Sequence, residues 1–445
     1  SISTQSLNAL GTAQIVAITT AQAQSLTTRQ AVALSADQLV ALETRDFASI
    51  STSSVAALLT AQVYALTTAQ VIALSTAQAQ ALTTAQAFAL TTAQVQALET
   101  VDFTAISIAS LAALGTTQVQ AITTVQAQAL TTAQAVALTT KQVAAIVTAD
   151  MAVLATDAVS VLSSADIIAL TTAQAQALAT QQAFALTTAQ VESLETADLV
   201  AVTNSAIAAL SSDQIVALRT DQAQALATQQ AIALTTEQLV SFETQDFAAL
   251  STNSIAALLT AQIAALISDE LVALRTDQAL ALTTQQIVAL ATAQVAALET
   301  DDFSAISTRS IAALTTAQVF ALGASQIAAL ETADFASIST ASIAALETSQ
   351  VVAITTAQAQ SLTTAQAVAL GTSQLVAMET ADFAAISTLS LAALLPSQVA
   401  SLTTDEVVAL TTAQAQSLTT AQAVALGTAQ VASLETTDFA VLSTA

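Results

Sequence analysis

The chain has 445 residues, 54% of them hydrophobic and 8% charged, and carries a net charge of −25. That apolar content excludes a disordered polar tract. Thirty-one acidic against 6 basic residues leave no basic cluster for nucleic acid or an anionic membrane surface.

A large apolar residue recurs at every eighth position from Ile2 to Leu442, and the register never slips. An unbroken short period means one small unit stacked many times. It overrides the two or three domains that the length alone would suggest and predicts one continuous array over residues 1–445. Ile2 and Ala445 both fall inside the repeat, so a segment of a longer protein is expected. Thr and Gln interrupt every apolar run well short of the ~18 residues a membrane span needs, so no membrane insertion is expected.

The eight positions are labelled a to h. In one unit Leu82 is a, Thr83 b, Thr84 c, Ala85 d, Gln86 e, Ala87 f, Phe88 g and Ala89 h. Slot c is Ser, Thr or Asn except at Ala36, Ile108, Ala324 and Pro396. These are helix N-cap residues, and a cap at c predicts a helix over d to a, such as Ala85 to Leu90. A cap at b is the other reading. Thr83 and Gln86 then form a capping box, with Leu82 and Ala87 as the hydrophobic staple. Gly11, Gly115, Gly323, Gly371 and Gly427 all occupy b, and they and Pro396 read as stop signals behind a finished helix.

One continuous helix is a poor alternative, because eight residues at about 100° each turn the apolar stripe by roughly 80° per unit. Short helices are favoured over a β-solenoid. Thr and Val suit strands, but Ala, Gln and Leu dominate, and Gly and Asn are scarce at the corners. The expected fold is therefore an all-α solenoid or superhelix of very short capped helices, one per octad, with a β-solenoid as the alternative.

Slots a and f supply the core, and the small residue at h permits close approach. Arg29, Arg45, Lys141, Arg219, Arg275 and Arg309 fall only at b and d, which therefore face water. Slot g mixes Gln with Val, Tyr64, Phe88, Phe184 and Phe320. It is expected to be half exposed, packing between turns or touching another subunit.

A longer spacing overlies the octad. Units reading Glu-Thr-x-Asp-Phe, or close to it, place Asp46, Asp102, Asp150, Asp198, Asp246, Asp302, Asp334, Asp382 and Asp438 at intervals of four, six or seven octads. The unit that follows is usually Ser-Thr-x-Ser-Ile, as at Ser307 to Ile311. Another recurrent unit has Ala at f and Gln at g, as in Thr171 to Leu178. Intervals of mostly six or seven octads suggest a wide superhelix with about six octads per turn.

Eight of these units carry paired acids: Glu43/Asp46, Glu99/Asp102, Glu195/Asp198, Glu243/Asp246, Glu299/Asp302, Glu331/Asp334, Glu379/Asp382 and Glu435/Asp438. Acids sit well at the positive end of a helix dipole, which accounts for them without a ligand. Stacked carboxylates would also form a ladder for calcium, a cation that prefers oxygen ligands. No other cofactor is expected. The Thr-Thr grid raises ice binding, although capping explains the same residues.

Catalysis has little to draw on. There is no His or Cys, Lys141 has no special setting, and eight similar acid pairs spread along an array do not make one pocket. No cluster of exposed aromatics stands out in a chain that is 3% aromatic.

The units Leu-Thr-Thr-Ala-Gln-Val-x-Ala and Glu-Thr-x-Asp-Phe resemble very long Ala/Thr/Gln/Leu repeat proteins of proteobacteria, over the whole chain. Such proteins are commonly labelled adhesin-like or haem-utilisation-like. The resemblance implies secretion and a place at the bacterial cell surface. The haem label finds no axial ligand in a chain with Tyr64, two Met and no His or Cys. The function expected is structural rather than enzymatic: an extracellular fibre, tube, sheath or surface layer built by self-association into a homopolymer. The alternative is the stalk or binding region of a giant secreted adhesin.

Overall fold

The computed structural model describes residues 2–442, which form 55 α-helices of four to six residues and no strand. There is one helix per octad, from Thr4–Asn8 to Thr436–Ala440. The fold is the expected all-α solenoid, and the β alternative is set aside. The chain divides into two compact units, Ser1–Ala225 and Leu226–Ala445.

Each helix begins at slot c, so the cap is slot b and not slot c. The helix Thr92–Ala97 is typical. Thr91 has extended backbone at φ −72° and ψ 161°. Its Oγ1 accepts from Gln94 N–H at 3.2 Å, and Gln94 Oε1 accepts from Thr91 N–H at 2.7 Å. This is a capping box, with Gln at the third helical position. The helix stops because the next slot a residue, Leu98, turns extended at φ −59° and ψ 129°.

No described residue has positive φ, so the glycines are not left-handed C-caps. All five are N-caps, as in Gly323 at φ −71° and ψ 157°. Pro396 opens its helix at the first helical position, where a missing N–H is harmless. The stop signals read from the sequence are start signals.

In both units a helix packs on the helices three octads before and after it. Three octads therefore close one turn of a three-sided stack, rather than the six octads expected. Slots a and f fill the interior: Leu90, Leu98 and Leu282 are 3–4% exposed, and Val95, Phe103 and Ala279 are fully buried. Helices this short do not persist alone; tertiary packing sustains them.

Slot e is buried as well, and it is polar. Gln70, Gln86, Gln222 and Gln278 are no more than 1% exposed. Their side chains bridge turns. Gln94 Nε2 donates to the carbonyls of Val63 (2.9 Å), Tyr64 (3.2 Å) and Leu66 (2.7 Å), at the end of the helix Thr60–Ala65 and the corner beyond it. The same register, 31, 30 and 28 residues back, recurs at Gln118, Gln214, Gln358 and Gln422. One amide thus starts its own helix and satisfies the orphan carbonyls that end another.

The Asp-Phe markers follow from layer packing. Phe47, Phe103, Phe303 and Phe383 are fully buried. The helix one turn earlier presents Ala23, Ala79, Ala279 and Ala359 at the same slot. Ala359 lies in the helix between those of Phe335 and Phe383. Two Phe layers in succession would overpack the interior, so on one face the shortest interval is two turns, or six octads. Intervals of four and seven octads move the marker to the next face. The markers therefore do not measure the superhelical turn.

Two expectations test this arrangement. Gln118→Met keeps the volume but strips Gly115 N–H of its acceptor and Ala87 and Leu90 carbonyls of their donor. Urea unfolding should show a loss of about 2–3 kcal/mol, with faster hydrogen exchange at Gly115. Gly323→Ser adds an N-cap acceptor where a Cβ meets nothing nearer than Gln326 Oε1 at 3.8 Å. It should raise stability by about 0.5 kcal/mol in the same assay.

Candidate functional site

The eight acid pairs are split by burial. Glu43, Glu99, Glu195, Glu243, Glu299, Glu331, Glu379 and Glu435 are exposed N-caps whose side chains make no capping bond. Asp46, Asp102, Asp198, Asp246, Asp302, Asp334, Asp382 and Asp438, at the third helical position, are 2–5% exposed.

Aspartate is shorter than glutamine and has no donor, so it makes a different contact between turns. The slot c hydroxyl of the helix one turn earlier donates to it: Thr20 to Asp46 (2.5 Å), Thr76 to Asp102 (2.8 Å), Thr276 to Asp302 (2.8 Å) and Thr356 to Asp382 (2.6 Å). In the following unit the serine at slot e reaches one carbonyl, as Ser110 does to Leu82 (2.8 Å) and Ser390 to Leu362 (2.7 Å).

The shortest interval between pairs, four octads, exceeds one turn, so within each unit no acid pair stacks directly on another. Among the described residues no three acidic side chains come together. Two carboxylates, one of them engaged by threonine, are a small part of the six to eight oxygens calcium takes.

Three buried carboxyls are strained electrostatically. Glu270 and Glu406 replace Gln at slot e and are 2% exposed. Glu406 Oε2 accepts from Thr403 N–H at 2.6 Å, while its Oε1 has no partner. By register that oxygen takes the place of a Gln Nε2 facing the carbonyls of Leu375 and Met378. Burial pushes the carboxyls of Glu406 and Glu270 above the usual glutamate range, with hydrogen bonds from their own N-caps opposing. Burial also raises Asp150, against a hydrogen bond from Thr124, and leaves its Oδ2 unpaired.

Two corners carry an arginine clamp that the sequence reading missed. Arg219 pairs with Asp221 at 2.9 Å and reaches the carbonyls of Glu192 and Leu194. Arg275 pairs with Asp277 at 3.0 Å and reaches the Ala248 carbonyl. Each guanidinium holds its exposed aspartate below the usual range. The signal was present as Arg-Thr-Asp-Gln at both places.

Slot g is outward-facing. Tyr64, Phe88 and Phe184 are 62–66% exposed. In the first unit all three stand on one face, Tyr64 and Phe88 on adjacent turns. The fold thus gathers aromatics that lie three or more octads apart, a grouping hidden without the turn length.

A three-sided α-solenoid with its polar side chains turned into the stack defines a repeat protein. A family model described as the ALTTAQ repeat matches residues 39–76, 95–132, 191–228, 239–276, 295–332, 327–364 and 375–412, together more than half of the chain. The chain belongs to the ALTTAQ repeat family. Each match spans one Asp-Phe unit or its Asp198-Leu199 equivalent. No curated protein matches the chain.

The buried glutamates give a pH prediction. A carboxyl whose pKa is raised on folding stabilises the fold below its unfolded pKa, near 4.3, and that contribution is lost as pH rises through the folded value. Glu406→Gln restores the amide donor at every pH. It should raise the urea midpoint at pH 7 by an amount equivalent to about 1–3 kcal/mol, and the gain should shrink as pH falls toward 4.

Proposed function

We infer that this is a structural repeat protein that acts outside the cell by assembling with its own copies into a fibre, tube, sheath or surface layer. The observation that carries this reading is the uniformity of the inter-turn Gln bonds. The same contact, in the same register, recurs through both units. A scaffold that extends by adding identical turns supplies length and a repeating surface, which is what an assembly requires. The acidic surface at slots b and d keeps such an array soluble.

A secreted bacterial location is favoured by the repeat resemblance. A second reading, the stalk or binding region of a large adhesin, is favoured by Tyr64 and Phe88 on adjacent turns of one face, since aromatic rings suit flat contact with a surface or sugar.

Electron microscopy of the purified chain separates the two. Filaments, tubes or sheets are expected. Discrete particles at all concentrations, together with binding to a glycan array, would overturn the structural reading in favour of the adhesin.

A further inference from the structure

Slot g differs sharply between the faces of the first unit. One face consists of nine helices, from Thr12–Val16 to Asn204–Ile207, each three octads from the next. Its slot g residues include Val16, Tyr64, Phe88, Val136 and Phe184, which are 46–66% exposed, and none is Gln or charged. The other two faces mix Gln80, Gln128 and Gln176, or Gln24, Gln96 and Glu192, with apolar residues such as Val200, Ile72 and Ile168 at the same slot. The fold accepts either kind of residue there, so packing does not explain the apolar column.

Charge is depleted on the same face. Across its nine helices the only charged residues are Asp37 and Asp157. The exposed acids of the marker units, Glu43, Glu99 and Glu195, stand on the other two faces. Leu59, 54% exposed at an N-cap on this face, adds to the apolar surface.

Resting on the assembly reading above, we propose that this face is the homotypic docking surface, on which the same face of a second copy of this chain lies. Three observations select a second copy as the occupant. The first is charge. Copies that each carry −25 repel, and that repulsion is smallest where the surface is nearly uncharged.

The second is area. A six-residue helix is about 9 Å long and stacked helices lie 8–10 Å apart, so nine of them present roughly 700 Å². That approaches the ~800 Å² per partner of a stable interface. The third is pitch. Side chains at slot g repeat once per turn, and a second copy has the same repeat by construction.

The test uses the full chain. Tyr64→Gln, Phe88→Gln and Phe184→Gln are combined, placing at slot g the residue that other faces already carry. Unchanged circular dichroism verifies the fold. Sedimentation over a micromolar concentration series should show wild-type association and at least a tenfold weaker association in the triple variant. The native chain has no cysteine, so single cysteines report contact directly. Val136→Cys should form disulfide-linked dimers on mild oxidation, and Gln128→Cys on another face should not.

A wild type that assembles while the triple variant assembles equally well, or in which Gln128→Cys cross-links in preference to Val136→Cys, overturns this surface and leaves the assembly reading standing. A wild type that stays monomeric at every concentration overturns both. Binding of that monomer to an insoluble polysaccharide, abolished in the triple variant, would assign the face to a glycan instead.

Discussion

The structure depends on one side chain doing two things at once. A helix of five or six residues leaves most of its backbone groups without a partner inside the helix, because each terminus leaves four. Solvent meets this need in a longer surface helix. Here the ends meet at the corners of the stack, where an orphan amide or carbonyl cut off from water costs about 1–3 kcal/mol. The slot e glutamine answers both: Oε1 takes the N-cap N–H, and Nε2 takes carbonyls 28 and 31 residues back, as at Gln62 with Leu59, Ala31 and Leu34. The second bond sets the turn at three octads. A wider turn would put other carbonyls under the amide.

The same requirement explains the variants. Aspartate removes the donor and shortens the reach, and at Asp46, Asp102, Asp302 and Asp382 a threonine hydroxyl from the turn below approaches it instead. At those four places the lower helix carries alanine at slot f and the upper one phenylalanine, as in Ala79 with Phe103 and Ala359 with Phe383. The Ala-Gln units and the Asp-Phe units are thus two halves of one inter-turn contact, Thr76 to Asp102 being its polar part. Glutamate at Glu406 keeps the reach and loses the donor, which leaves Oε1 unpaired. Serine at Ser110 keeps a donor and loses most of the reach, and it takes one carbonyl instead of two or three.

Much of this was legible from the octad. The helix type, one helix per unit, the burial of slots a and f, and the exposure of b and d all follow from apolar spacing and from where Arg and Lys are tolerated. The choice between caps at b and c was not decided by Ser and Thr counts, since both slots carry them. It was decided by Gln at e, which needs a partner three positions before it. The turn length escaped because the only long-range marker visible in sequence, the Asp-Phe unit, is kept two turns apart by the volume of Phe. The paired acids misled for a related reason. Spacing three suggests a shared site, yet Glu43 is exposed and Asp46 lies inside the stack.

A framework this repetitive separates what the fold needs from what the surface does. Slots a, e, f and h are constrained by burial and bonding, and b is held by the cap. Slots d and g carry almost no folding requirement, as the exchange of Gln128 for Phe88 or Tyr64 at equivalent places demonstrates. Whatever distinguishes one face from another is written there. In the first unit that surface is not random: one column is apolar, aromatic and nearly uncharged, and the arginines, lysine and exposed glutamates lie elsewhere. Isolated apolar side chains on a surface need no explanation, but their grouping in one column is what supports the docking face proposed above. The three-octad turn of the stack brings every third unit into that column, and so a sequence that reads as simple repetition acquires sides.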